Sequence, residues 1–148
     1  MNFKKWLFGG SEFTAPLANV GLTLLRVFAG LALAFGHGIR KFPPSERFVE
    51  SVGNLGFPLP ELFAWAVTCS EFFCGLLLAL GLLTRPAALF ILFTMLVAAF
   101  LRHAGEPFSE RELAVVYGSI ALAFLFIGSG RYGVDALLRR QKLEHSNT

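Results

Sequence analysis

Charged residues are scarce in this chain: only 16% of its 148 residues are Asp, Glu, Lys or Arg. Soluble domains carry roughly 25% charged and 45–50% apolar residues, whereas 55% of this sequence is hydrophobic. The net charge of +3 is spread singly between apolar runs, which is not the clustered basic patch that binds nucleic acid. The composition therefore predicts one small domain in a membrane, with lipid as its first partner.

Motifs of nucleotide-binding and soluble catalytic proteins are also missing. There is no P-loop, no G-x-G-x-x-G after a strand, no nucleophile elbow and no close metal-ligand spacing. The two cysteines, Cys69 and Cys74, are about 140° apart on a helix, so they neither bridge nor form a C-x-x-C motif. We expect no resident metal and no covalent cofactor. Any electron transfer would need a quinone or a partner protein.

Four long apolar runs are present, and they predict an all-α integral membrane protein built as an antiparallel four-helix bundle. Each is near the ~20 residues that cross the hydrocarbon core. The predicted spans are 16–38, 60–83, 84–102 and 112–128, within a domain over 16–130. Residues 1–15 predict an interfacial amphipathic segment, and 131–148 a cytoplasmic tail.

An even number of crossings puts both termini on the same side of the membrane. Seven Lys and Arg residues would share that side and five the other, so the bias places both termini in the cytoplasm of a bacterium's inner membrane. The first group is Lys4, Lys5, Arg85, Arg131, Arg139, Arg140 and Lys142, and the second is Arg40, Lys41, Arg47, Arg102 and Arg111.

Two charges lie near the middle of the first two spans. Arg26 and Glu71 would each cost ~2.5–3.5 kcal/mol at the bilayer centre if unpaired. Both sit on stripes of small and polar residues at helical spacing, so we expect them to face each other as an ion pair. Such a pair either fixes the register of the helices or forms a proton-coupled or head-group site. The stripes are Asn19, Thr23, Arg26, Gly30, Leu33 and His37, and Ala64, Thr68, Glu71, Gly75 and Leu78.

A second polar group is expected at the non-cytoplasmic mouth. His37 and His103 are candidate proton-exchanging or hydrogen-bonding groups, because histidine titrates near neutral pH. We assign Lys41, Trp65 and Glu112 to binding of a substrate such as a quinone.

The cytoplasmic edge carries a third set. It either anchors the chain and caps a helix or docks a soluble partner, and its residues are Arg85, Arg131, Tyr132 and Asp135.

Taken in order, several short motifs resemble the DoxX family of small bacterial membrane proteins over about residues 17–138. They are Leu24-Leu25-Arg26, His37-Gly38 with Lys41, Pro58-Leu59-Pro60, Glu71, Gly81-Leu82-Leu83-Thr84-Arg85, His103, and Gly130-Arg131-Tyr132 with Asp135. Gly133 departs from the Ser expected before Val134-Asp135. The resemblance implies a four-helix membrane bundle. Relatives in that family include a membrane subunit of thiosulfate:quinone oxidoreductase and members linked to thiol or oxidative stress.

Three functions are compatible with this reading. The first is a membrane subunit of a redox system, sulfur- or thiol-linked, that passes electrons to the quinone pool, with Arg26, Glu71, His37 and His103 as its catalytic groups. The second is a non-catalytic scaffold that recruits partner proteins. The third is a permeation role, which four short helices could support only as a homo-oligomer.

Overall fold

A computed structural model describes residues 10–11 and 13–145, with side chains to residue 141. Ten of the fifteen residues of the predicted interfacial segment, among them Lys4 and Trp6, therefore lie outside the described residues. The described chain is all-α, apart from one isolated bridge between Gly10 and Gly128. Its six continuous helices are α1 (Pro16–Lys41), α2 (Glu46–Gly53), α3 (Pro60–Leu80), α4 (Thr84–Arg102), α5 (Phe108–Ile127) and α6 (Val134–His145).

Three helices are long and apolar enough to cross a membrane: α1, α3 and α4. Helix α5 has 20 residues, but Glu110, Arg111 and Glu112 occupy its first turns. Only 113–127 is uncharged, and such a segment spans roughly 22 Å at ~1.5 Å per residue, short of the ~30 Å hydrocarbon core. The fourth crossing, and with it the orientation of the termini, stays a prediction.

The helices pack as two long antiparallel pairs around a shared apolar core. Helix α1 lies along α3, and α4 lies along α5, while α3 also contacts α4. Ser70 on α3 and Thr94 on α4 are hydrogen-bonded at 2.9 Å between buried hydroxyls. The core residues are Leu33, Leu78, Ala88, Ile91, Met95, Ala121 and Phe124.

Close approach of α1 and α3 depends on glycine. A Cβ placed on Gly30 would lie 2.5 Å from the carbonyl oxygen of Gly75, and one on Gly38 would lie 2.5 Å from the backbone nitrogen of Phe72. Both distances are far inside van der Waals contact, so only glycine fits at these crossings. The two predicted stripes are confirmed, since every member is buried or half-buried.

Each of the three candidate spans contains one π-helical turn. These turns are Ala34–Gly38 in α1, Ser70–Cys74 in α3 and Ala98–Arg102 in α4. The first two pack against each other, at the level where Gly38 meets Phe72. Such turns rotate the following side chains relative to a regular helix and recur at functional sites.

Helix α2 lies between the first two predicted spans, in a segment whose prolines and glycines predict a loop. Ser45 caps it, because its side-chain oxygen accepts a hydrogen bond from the backbone N–H of Phe48 at 3.3 Å. Phe48 and Val52 lie on its less exposed side, and Arg47 on its exposed side. A helix of eight residues is too short to give a clear periodic signal in the sequence.

In the hairpin between α3 and α4, the sequence predicts a helix stop at Gly81 and a helix N-cap at Thr84, and the structure agrees with the first and differs from the second. Gly81 adopts the left-handed conformation (φ 71°) that closes α3, as expected for a glycine after a helix. Thr84 is the first residue of α4 rather than its cap. The cap is supplied from a distant part of the chain, by Asp135 on α6.

Candidate functional site

The predicted ion pair between Arg26 and Glu71 is wrong. The Arg26 guanidinium donates to the carbonyl oxygens of Leu78 and Ala79 at 2.8 and 2.9 Å, whereas Glu71 binds Lys41. The prediction assumed that the midpoints of the two spans lie at one depth. Because Gly38 packs on Phe72, Arg26 instead lies about three turns from Glu71, roughly 18 Å along the helix axis.

The ion pair that does form joins the end of α1 to the middle of α3. The Lys41 Nζ lies 2.6 Å from each oxygen of the Glu71 carboxylate. The Glu71 side chain is only 5% exposed, and that of Lys41 is 32% exposed. The ammonium group also lies 5.5 Å from the centre of the Phe48 ring, a distance typical of a cation–π contact. One member of the pair is therefore buried, and the other opens to the exterior.

Thr68 holds the backbone that positions this lysine. Its hydroxyl donates to the carbonyl oxygen of Ala64 at 2.9 Å, within α3, and lies 3.3 Å from the carbonyl oxygen of Lys41. That carbonyl is at the end of α1, where no intrahelical donor remains. The contact fixes the last turn of α1 against α3 and aligns Lys41 with Glu71.

An aromatic cluster flanks the ion pair. The ring of Phe42, next to Lys41 in the chain, lies edge-on to Trp65 at 5.7 Å and to Phe73 at 6.2 Å, and is tilted to Phe72 at 6.1 Å. Trp65 also lines a shallow groove of ≈ 430 Å³ on the outer side of α3, together with Leu59, Pro60, Glu61 and Leu62. An apolar groove beside a few polar groups is the usual form of a small-molecule site.

Of the two predicted histidines, one lies in the same segment as Lys41. His37 sits in the π-helical turn of α1, one helical turn before Lys41, and its ring is edge-on to Tyr117 of α5 at 5.9 Å. His103, just after α4, is paired with exposed Glu106 at 2.6 Å. No hydrogen bond or ring contact joins these two histidines within the described chain. Glu112 is exposed and makes no ion pair with any described residue.

At the other end of α3, Arg26 and Asp135 act as caps. The guanidinium of Arg26 donates to carbonyl oxygens of the last turn of α3, and the carbonyl oxygen of Leu78 also accepts from the backbone N–H of Gly81 at 3.1 Å. The Asp135 carboxylate accepts from the backbone N–H groups of Leu83 and Thr84 at 2.9 and 3.0 Å, and from the Thr84 hydroxyl at 2.9 Å. Arg26 is 1% and Asp135 0% exposed, so neither is open to a ligand or to a docking partner.

The other residues predicted to dock a partner differ in accessibility. Arg131 and Tyr132 are exposed, whereas Arg85 donates to the carbonyl oxygen of Phe126 at the end of α5, at 2.9 Å. Of the four residues predicted to dock a partner, therefore, only Arg131 and Tyr132 lie on an open surface.

Gly133 fits this capped hairpin closely. A Cβ at that position would lie 2.5 Å from the Cβ of Ser129 and 3.1 Å from the carbonyl oxygen of Gly81. The space is already occupied, so a glycine here is a consequence of how α6 meets the hairpin.

A known protein family matches the helices that carry the Lys41–Glu71 pair. The DoxX family model matches residues 21–104, which include all of α2, α3 and α4 and most of α1, and therefore both Lys41 and Glu71. The chain belongs to the DoxX family.

Relatives of this DoxX protein occur in several bacteria. It is 32% identical over 135 residues to "Inner membrane protein YqjF" of Escherichia coli, covering 84% of this chain and 97% of that one. It is 31% identical over 108 residues to "Putative oxidoreductase CatD" of Bacillus subtilis, covering 71% and 78%. An uncharacterised Haemophilus influenzae protein is 28% identical over 131 residues, covering 83% and 86%. No solved structure matches the chain.

These relatives confirm the predicted location. The chain is a multi-pass protein of the inner membrane, with three candidate transmembrane helices. The DoxX match extends over the Lys41–Glu71 pair but ends before Asp135, so the hairpin cap lies outside the matched segment.

Proposed function

We propose that this DoxX protein is the membrane subunit of a redox system that passes electrons to the quinone pool, with the quinone head group bound beside Lys41 and Glu71. The observation that carries the proposal is the ion pair itself, 2.6 Å between the Lys41 Nζ at the end of one candidate span and the Glu71 carboxylate in the middle of another. Charged residues inside a membrane are costly, and where they persist they mark ligand and proton pathways.

The surroundings favour a flat, lipid-soluble ligand. Phe42 follows Lys41 in the chain and lies edge-on to Trp65, and the groove along Trp65 opens on the outer side of α3. A quinone needs an apolar slot with a few convergent polar groups, and an ammonium group supplies hydrogen bonds to a carbonyl oxygen. The partial exposure of Lys41 leaves donors available on its Nζ.

The chemistry balances with a thiol donor on a partner protein. Two thiols become one disulfide, releasing two electrons and two protons, and the quinone takes up two electrons and two protons to become a quinol. In this scheme Lys41 donates a hydrogen bond to the quinone carbonyl, and Glu71 keeps the ammonium group in place and exchanges protons with it. The name of the relative "Putative oxidoreductase CatD" supports a redox role.

Intrinsic fluorescence tests the binding site directly. The chain has two tryptophans, Trp6 and Trp65, so a Trp6→Phe background leaves Trp65 as the single indole reporter. We expect decylubiquinone to quench Trp65 in the purified full-length protein in detergent. In the charge-neutral double variant Lys41→Met/Glu71→Gln, we expect at least tenfold weaker quenching affinity, since hydrogen bonds to charged groups are worth about 1.5–3 kcal/mol.

The matched control is Glu110→Gln, which removes an exposed carboxylate from the first turn of α5. It should bind the quinone as the parent does. Equal quinone affinity in the parent and the folded double variant would refute the site. Quenching that is absent in the parent, with co-purifying proteins still recovered, would favour the scaffold function instead. Quinone reduction by thiol or sulfur donors, with and without those proteins, then separates a subunit from a complete enzyme.

A further inference from the structure

A second groove, of ≈ 380 Å³, is lined by residues of α2, the chain just after it and the end of α4, and shares no residue with the groove at Trp65. Its lining is mostly polar and consists of Arg47, Glu50, Ser51, Asn54, Leu55 and Arg102. We propose that this groove binds the phosphodiester group of an anionic phospholipid. The inference is independent of the redox function, because no hydrogen bond, ion pair or cation–π contact joins these six residues to Lys41 or Glu71 in the described part of the chain.

The first argument is charge. Arg47 and Arg102 are both exposed, and neither guanidinium makes an ion pair or hydrogen bond with another residue in the described part of the chain. Glu50 lines the same groove, so the three charges sum to +1. A phosphodiester carries one negative charge and accepts hydrogen bonds in the paired geometry that arginine provides. The groove therefore matches a singly charged headgroup.

The second argument is position. Arg102 is the last residue of the candidate span Thr84–Arg102, which places the groove where the hydrocarbon core ends. Helix α2 is amphipathic: Val52 is buried and Phe48 is half-buried, while Arg47 is exposed. An amphipathic helix beside the end of a span lies at headgroup level, where basic residues attract anionic lipid.

Ser51 and Asn54 add neutral hydrogen-bonding groups to the lining. They are able to contact phosphate oxygens or the hydroxyls of a glycerol headgroup. Leu55 supplies an apolar wall. Together with the two arginines, these groups favour a phosphoglycerol headgroup over phosphocholine, because the choline cation would lie against two guanidinium groups.

The test measures lipid selectivity in the purified full-length protein. Native mass spectrometry in detergent would count bound phosphatidylglycerol and phosphatidylcholine at equal concentration, and thermal unfolding would measure their stabilising effect. We expect phosphatidylglycerol to bind preferentially to the parent. Arg47→Gln and Arg102→Gln should each weaken its binding about fivefold, and the double variant should lose the preference.

Arg111→Gln is the matched control, because Arg111 lies over the Phe108 ring at 6.0 Å and does not line the groove. It should keep the lipid preference. Equal binding of the two lipids by the parent, or an unchanged preference in the double variant, would overturn the proposal. So would inorganic phosphate that stabilises the parent as strongly as phosphatidylglycerol through the same two arginines, since the ligand would then be a free anion. Without lipid, the double variant must unfold at the same temperature as the parent, which excludes misfolding as the cause of lost selectivity.

Discussion

Removing the two partners of the Lys41–Glu71 pair should have unequal effects. Lys41→Met leaves a carboxylate that is 5% exposed without its counter-ion, whereas Glu71→Gln leaves an ammonium group that is 32% exposed and able to move towards water. Stranding one charge of a buried pair costs about 3–5 kcal/mol. We therefore expect Lys41→Met to lower the free energy of unfolding by about 3 kcal/mol and Glu71→Gln by about 1–2 kcal/mol, since partial exposure reduces the second cost.

The double variant decides whether the pair is coupled. Lys41→Met/Glu71→Gln removes both charges, so it should be more stable than Lys41→Met alone, with a coupling energy of about 2 kcal/mol. Unfolding by SDS in mixed micelles, followed by circular dichroism, gives the three free energies.

A matched cycle separates this pair from the one that the sequence suggested. Arg26→Gln and Glu71→Gln should be additive to within about 0.5 kcal/mol, because the two side chains share no partner. Additive Lys41 and Glu71 effects together with a coupled Arg26–Glu71 cycle would refute the register of α1 on α3 described above.

Three further substitutions test the packing and the caps by the same unfolding assay. Gly38→Ala should lower the free energy of unfolding by about 1–3 kcal/mol, because the added Cβ clashes with the Phe72 backbone. Gly36→Ala, whose Cβ would enter open space, should be neutral or slightly stabilising. Equal effects of the two substitutions would argue against the close crossing of α1 and α3. Asp135→Asn replaces an acceptor of three hydrogen bonds and should cost about 2 kcal/mol, and an unchanged stability would contradict the capping role. Arg26→Met should lower the free energy of unfolding by about 3 kcal/mol, because the carbonyl groups at the end of α3 and the carboxylate of Asp135 lose their cation. Full stability of this variant would show that the guanidinium is dispensable.

Much of the membrane architecture followed from local patterns. The apolar runs located the three candidate spans to within a few residues, since length and hydropathy are properties of the segment alone. Gly81 marked the end of α3, because a left-handed residue after a helix favours glycine. The buried stripes on α1 and α3 were also visible as small and polar residues at helical spacing.

The candidate site was predicted in its parts but not in its pairing. Glu71 was identified as a buried charge and Lys41 as a binding residue, yet each was assigned to a different region. Helix α1 continues three residues beyond the predicted end, and its π-helical turn ends three residues before Lys41. Neither feature has a periodic signature, so the contact between the two residues could not be read from spacing.

The sequence by itself determined that this is an α-helical membrane protein with charges inside it, because the cost of placing a charge in hydrocarbon depends only on which residues a span contains. The tertiary structure decided which charges meet. Where α1 slides along α3 is set by the glycine contacts at Gly30 and Gly38, and that register gives Glu71 to Lys41. Likewise, Asp135 caps a helix that begins 51 residues earlier in the chain, a distance over which no local pattern acts.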